Sequence, residues 1–417
     1  MNHGFLIGAA SSSSGKTTFT MGMLRALRRR NLRVQPYKCG PDYIDPLFHH
    51  LAAGSESVNL DTFLSSPEHV RTLFHRYGEG ADICVVEGVM GLFDGYDRAL
   101  GSSAEVASLL RLPVVLLVNA QSTAYSVAPL IHGFRTFACP SLGGRPLHIA
   151  GVVFNKVGSE RHFRFLQSAC EDAGMPCFGY IPRNAALNIP SRHLGLTIST
   201  CTEMERLISL AAAEIEAHVD IASLMALECG EDWKSSQSEP HTGNLQIAVA
   251  RDEAFNFIYR ANVDALASLG TITWFSPLRD RALPPCDLLY LPGGYPELVA
   301  GELSANTSMR ESVRCFAEAG GRVFAECGGF MYLCRSIDGQ SMCGVFPFEA
   351  TMADARLHLG YRQLRCGDTT VCGHEFHYSR CEGMPQPNDV YRYKNVMAGY
   401  PHWYWAETGF ERLWNND

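Results

Sequence analysis

Two groups of residues in this chain can act chemically, and in different ways. Near the start, Gly15-Lys16-Thr17-Thr18 follows four serines. Some three hundred residues later Cys327 stands between Glu326 and the pair Gly328-Gly329. The first group can wrap backbone N–H groups around phosphate oxygens at a helix N-terminus. Lys16 would reach the β- and γ-phosphates, and the Thr17 hydroxyl would sit on Mg²⁺. The second can present a thiol at a sharp strand-to-helix turn, with glycines making room for the next helix. Together they point to ATP-driven amide formation using ammonia taken from glutamine.

Each group needs partners. The usual phosphate loop begins with glycine, but here that position is Ala10; nearby Gly8 offers a slightly longer loop. Carboxylates are expected where strands end opposite the loop. Candidates are Asp42 and Asp45 in Cys39-Gly-Pro-Asp-Tyr-Ile-Asp-Pro46, and Glu87 and Asp94 in Glu87-Gly-Val-Met-Gly-Leu-Phe-Asp-Gly95. The expected division puts Thr17, Asp45 and Glu87 on Mg²⁺ and Asp42 and Asp94 on substrate, although both aspartates before Pro46 also read as turn residues. For the thiol, Gly328 and Gly294 of Leu291-Pro-Gly-Gly-Tyr295 are the candidate oxyanion donors. A base is required, and His374, His377 and His402 are the late histidines. On a strand, Glu375, His377 and Ser379 share one face, with His374 on the other. Metal ligation by that histidine pair is the weaker reading; a structural or substrate-contacting role is favoured.

The elements that must position these groups repeat an α/β pattern. Apolar runs at Phe5–Ala10, Arg33–Lys38, Ala81–Gly88, Pro113–Asn119, His148–Lys156 and Cys177–Pro182 alternate with helical patterns near 16–30, 66–78, 103–111, 160–173 and 202–226. Such alternation predicts a mainly parallel sheet with helices on both faces. The polar stretch 231–244 lacks aliphatic residues and reads as the core of a linker. A second α/β pattern starts at Leu245 and becomes β-like near 341–380. We therefore expect domains at 1–228 and 245–417, joined by residues 229–244.

Composition excludes several classes. At 417 residues, 46% hydrophobic and 19% charged, the chain suits a two-domain globular protein. A net charge of −8 argues against nucleic acid or an anionic membrane as partner. The fifteen cysteines contain no Cys-x-x-Cys and stand singly, often in apolar runs, so reduced core cysteines of a cytoplasmic enzyme are expected. No apolar run has the length of a membrane span, and the chain enters a strand without a signal-peptide pattern.

Five long motifs occur in order: Gly40-Pro-Asp-Tyr-Ile-Asp-Pro46, Glu87–Gly95, Leu291-Pro-Gly-Gly-Tyr-Pro-Glu297, Ala325-Glu-Cys-Gly-Gly329 and Gly373-His-Glu-Phe-His-Tyr-Ser379. Together the chain closely resembles the cobyrinate a,c-diamide synthases of corrinoid biosynthesis. The likeness extends through Gly101–Ala107, Asn155–His162 and Pro190–Leu196. It implies a P-loop synthetase domain of the dethiobiotin-synthetase-like type and a class I-like glutamine amidotransferase domain. It also implies ATP- and glutamine-dependent amidation of the a and c carboxylates of cobyrinate, with Mg²⁺ accompanying ATP. By motif position, Cys327 becomes the glutamine nucleophile and His402 the group that activates it. Class I relatives usually carry a glutamate two residues after that histidine, where this chain has Tyr404, so a Cys–His dyad is implied. Asn119 stands where aspartate is common, and no metal or nucleotide role is carried over to it. The implied partners are cobyrinate, ATP and L-glutamine, with homodimerisation open. The rivals are a nickel-sirohydrochlorin a,c-diamide synthase and, from another class, a partition-type ATPase switch with a degenerate second domain. Against the switch, Ala10–Ser14 lacks an early lysine, and both Cys327 and His402 are intact.

Overall fold

Strand β1 (His3–Ala9) runs through the serine loop into helix α1 (Lys16–Arg29). Strands β2 (Val34–Cys39), β3 (Val58–Leu60), β4 (Ile83–Glu87), β5 (Val114–Asn119), β6 (Ile149–Val157) and β7 (Cys177–Pro182) complete a sheet of order β3-β2-β4-β1-β5-β6-β7. All its pairings are parallel. Val114 to Leu117 are fully buried, which explains why this strand reads as an unbroken apolar run rather than an alternation. The protein's structure, a computed structural model, describes residues 3–189, 198–230, 243–384 and 390–414. It divides into two compact units, one on residues up to 230 and one from 243 onward. Most of the expected linker, residues 231–242, lies outside the described residues, as does the 190–196 motif.

Helix starts follow from sequence. Ser66, Ser102 and Ser159 accept the N–H groups of His69, Glu105 and His162, each cap contributing about 1 kcal/mol. The helix expected over 202–226 is observed as Ile198–His218 and Ile221–Met225. It breaks because Val219 bridges to Gly179 and the Asp220 side chain caps the second piece. Helix α2 (Ile44–Ala53) was not expected, since Pro46 beside two aspartates imitates a turn. Proline is tolerated in a first helical turn, where the missing N–H has no intrahelical partner to lose. Gly8 belongs to β1, paired opposite Leu116, and does not lengthen the phosphate loop. A Cβ there would stand 2.8 Å from Leu92, so close packing requires this glycine.

The strand order sets β2, β4 and β1 side by side. Their C-terminal ends therefore deliver Lys38, Glu87 and the serine loop to one place, the crevice where open parallel sheets bind ligands.

In the second unit, β8 (Leu245–Ala250), β9 (Gly270–Phe275), β10 (Leu288–Leu291) and β11 (Arg322–Glu326) form a parallel core of order β9-β8-β10-β11. Strand Val396–Gly399 extends it in parallel, and Tyr391–Tyr393 closes the edge antiparallel. Period-two alternation supplies two cores. Leu289, Leu291, Val323 and Ala325 pack on one face, and Leu288, Tyr290 and Phe324 on the other. The β-like stretch resolves into two small sheets. One pairs His358–Cys366 and Thr369–His377 antiparallel, with His402–Trp403 along the second strand. The described cysteines are all free. Among the described residues no helix is long and apolar enough to cross a membrane.

Candidate active sites

In the first unit, a cleft of about 710 Å³ opens over the serine loop, walled by Ser13, Lys16, Thr17, Asp42, Asp45 and Glu87 among others. Ser13 (φ +61°) and Gly15 (φ +93°) give the loop its left-handed steps without the early glycine. Gly15 is also closely approached: a Cβ would lie 2.1 Å from the Asn155 amide nitrogen, which donates to the Ser14 carbonyl at 2.8 Å. Asn155, at the end of β6, thus braces the loop from behind. The Lys16 ammonium donates to the Met90 carbonyl, bonds that phosphate oxygens can replace. Thr18 reaches the Leu187 carbonyl at 3.4 Å.

Three expected metal-site residues converge. The Thr17 hydroxyl lies 2.9 Å from Glu87 Oε1 and 3.2 Å from Asp45 Oδ2. Sequence reasoning missed two further members. Lys38 donates to Asp45 Oδ2 at 2.7 Å and to Glu87 Oε1 at 3.0 Å. His49 from α2 sets Nε2 2.7 Å from Glu87 Oε2, with Ser57 Oγ 3.0 Å from its other nitrogen. Burial alone would lower Lys38, but Asp45 and Glu87 outweigh it and raise the ammonium above its ordinary range. Burial alone would raise Glu87, but Lys38 and His49 outweigh that and hold it well below the carboxylate range. Both groups are therefore charged at neutral pH. One hydroxyl and two carboxylates are the hard oxygen donors that Mg²⁺ takes. That an ammonium already bridges the two carboxylates shows that their oxygens fit around a cation.

Asp42 lines the cleft, but its Oδ1 accepts the N–H groups of Ile44 and Asp45 at 2.8 and 3.0 Å, the turn role that competed with the ligand reading. Asp94 is exposed and accepts from Gly91 N–H at 2.9 Å. It does not wall the cleft. The exposed Asn119 accepts the Gln121 N–H.

In the second unit, Cys327 occupies the junction between β11 and helix Gly328–Leu333 at φ +47°, ψ −108°, a region that side chains rarely adopt. A Cβ on Gly329 would stand 2.1 Å from the Leu291 carbonyl oxygen, so only glycine lets the helix approach β10. Gly329→Ala is expected to lower unfolding free energy by about 3 kcal/mol, read as the shift of the second unit's thermal transition. The backbone N–H groups of Gly328 and Gly294 both face the Cys327 sulfur, which brings together the thiol and the two expected oxyanion donors. Burial, reinforced by Glu297, raises the thiol far above its ordinary value. The resting sulfur is protonated, and Phe376 O lies 3.8 Å away as its acceptor.

His402 is buried on the short strand opposite His374. Its ring lies flush on Gly293, whose Cβ would come within 2.2 Å of Cε1. Burial, then the neighbouring His374 and His377, push it well below the usual histidine range, so it rests as a neutral base. Glu326 lies beneath it: Oε2 is 4.0 Å from His402 Nδ1 and accepts the Tyr290 hydroxyl at 2.7 Å, while Oε1 accepts Trp403 N–H at 2.7 Å. Burial lifts this carboxyl to about 8. Tyr404 turns its ring to Tyr259, centroids 5.5 Å apart.

His377 is tied down on both nitrogens, 2.8 Å from Ser379 O and 2.7 Å from Glu375 Oε1, and stacks on Tyr400 at 3.7 Å. With His358 these groups place three metal-capable side chains together. However, Arg362 already pairs with Glu375, and both His377 nitrogens are engaged by Ser379 and Glu375. The geometry supports the structural reading of His377.

Comparison with known proteins agrees with this division. Residues 5–196 match the family model described as the CobQ/CobB/MinD/ParA nucleotide binding domain, and residues 246–410 that of the CobB/CobQ-like glutamine amidotransferase domain. A cobyrinate a,c-diamide synthase of Listeria monocytogenes is 41% identical, covering 90% of this chain and 86% of the relative. One from Picrophilus torridus is also 41% identical, covering 97% and 96%. A hydrogenobyrinate a,c-diamide synthase of Brucella abortus is 39% identical, covering 95% and 93%.

Proposed function

Because the chain belongs to the cobyrinate and hydrogenobyrinate a,c-diamide synthase family, we propose that it amidates the a and c carboxylates of such a corrinoid, using ATP and glutamine. The observation that carries this reading is the pairing, in one polypeptide, of a phosphate loop facing buried carboxylates and a strained cysteine facing two backbone N–H groups.

A carboxylate gives ammonia no adequate leaving group, and transfer of the γ-phosphoryl group from ATP makes an acyl phosphate that does. In this reading the loop at Ser13–Lys16 binds the phosphates, with Lys16 offsetting charge that develops on the transferred group. Thr17, Asp45 and Glu87 would hold Mg²⁺, which supplies positive charge to the phosphate oxygens. Asn155 and His49 orient the loop and Glu87 from behind, and Lys38 keeps the carboxylate pair ionised. In the second unit the Cys327 proton passes to His402 as the sulfur attacks the glutamine amide carbon. The oxyanion forms against the N–H groups of Gly294 and Gly328. His402 then protonates the departing nitrogen, ammonia leaves, and water hydrolyses the thioester to glutamate and free thiol. Ammonia displaces phosphate from the acyl phosphate to form the amide.

Mass spectrometry of cobyrinate or hydrogenobyrinate incubated with the protein, ATP, Mg²⁺ and glutamine tests the whole reading. Two successive carboxylate-to-amide changes are expected for at least one of them. No change with either, but amidation of nickel-sirohydrochlorin, would transfer the assignment to that substrate. ATP turnover stimulated by DNA or lipid rather than by a tetrapyrrole would replace it with the switch reading.

A further inference from the structure

The Cys–His pair leaves one buried carboxyl without a role. Glu326 immediately precedes the nucleophile in β11, so its side chain points to the opposite face of the strand from the Cys327 turn, toward the core that holds Tyr290 and Trp403. Two donors fix it there: Tyr290 from β10 on Oε2 and the Trp403 N–H on Oε1. Trp403 follows His402 directly, so the bond to its N–H ties the carboxyl to the segment that carries the imidazole. The remaining lone pairs of Oε2 face His402 Nδ1 at 4.0 Å. Packing alone explains none of this, since an apolar side chain would fill the volume without burying a carboxyl.

We propose that Glu326 is the positioning residue of the glutaminase reaction: it receives the Nδ1–H of His402 when the imidazole takes the Cys327 proton, fixing the ring with Nε2 toward the sulfur. The acid thus comes from the strand before the nucleophile, whereas the position two residues after the base, Tyr404, is engaged with Tyr259. A carboxylate on the far nitrogen selects the useful tautomer and stabilises the imidazolium. The 4.0 Å gap closes as that cation forms. The inference rests on the reading of Cys327 as the glutamine nucleophile.

The arrangement carries a pH signature. Burial sets Glu326 near 8, against an ordinary 4.5, so only part of the resting enzyme has the carboxylate at neutral pH. The titratable groups around the pair are Tyr290, Cys327, His374 and His377, and the last two disfavour the imidazolium that Glu326 must support. Glutaminase kcat should therefore rise with pH through about 8.

The test uses the full-length enzyme and compares glutamine hydrolysis, ammonium-driven amidation and pH profiles for wild type, Glu326→Gln and Tyr290→Phe, with Cys327→Ala as control. The Gln variant is expected to lose about 10- to 100-fold in glutaminase kcat, with little change in glutamine KM and without the limb near pH 8. Tyr290→Phe, which removes one donor from Glu326, is expected to move that limb to higher pH. An unchanged kcat and an unchanged limb in the Gln variant overturn the inference. If that variant does not fold, an unmoved limb in Tyr290→Phe overturns it. Retained glutaminase activity in Cys327→Ala would instead defeat the underlying reading of the nucleophile.

Discussion

Replacing Cys327 by alanine is expected to cut glutamine-dependent amidation at least ~10³-fold while ammonium at high pH still drives the reaction. The reason lies in how the structure divides the chemistry. The thiol is the only atom in the second unit's site proposed to bond covalently to glutamine, and its neighbours His402, Gly294 and Gly328 act through it. The phosphate cleft is built wholly from residues before 190. Free ammonia can therefore replace glutamine without using any group of the second site, and raising pH increases the unprotonated fraction. The measurement is the initial rate of amide formation with each nitrogen donor. A variant that kept its glutamine-driven rate would remove Cys327 from the mechanism, and one that lost both rates equally would show that the change disturbs more than ammonia supply.

Lys16→Ala is expected to lower both rates together, by about 10²–10³-fold. Its ammonium bonds the Met90 carbonyl at the wall of the cleft, on a residue only 8% exposed. Nothing else on the loop carries positive charge, and Lys38 is engaged by Asp45 and Glu87. Glutamine hydrolysis measured alone should survive in Lys16→Ala, the converse of the Cys327 result. Equal loss of glutaminase activity would mean that the two half-reactions cannot be separated by substitution.

The difference between what the residues announced and what they concealed is physical. Cys327-Gly-Gly and Gly15-Lys-Thr-Thr are local devices: a strand end, a turn and a helix start lie within ten residues, so their chemistry is visible in order. The parallel sheet was likewise legible, because strands buried on both faces write themselves as apolar runs. Lys38 was not. It stands in a buried strand and meets Glu87 only because β2 and β4 pair in register, Lys38 opposite Glu87. His49 was hidden by a helix that Pro46 disguised as a turn. Asn155 was visible in a motif, but its bond to the Ser14 carbonyl reaches a loop 141 residues away. Glu326 was in plain view beside the nucleophile and read as part of its motif, since the ring above it arrives from the opposite end of the domain. Asp94 reads ambiguously: it has the spacing of a ligand, and its carboxylate also accepts an N–H of its own turn.

Lys38 also bears on how the first unit comes into being. Two carboxylates buried side by side would repel each other as the domain folds, and each would lose its water without a partner. Here the chain brings its own counter-ion, with the Lys38 ammonium spanning Asp45 and Glu87. The two buried carboxylates are thereby offset by a positive charge from the same unit, set in place because β2 pairs with β4. The lysine thus belongs to the scaffold of the first unit as much as to its cleft.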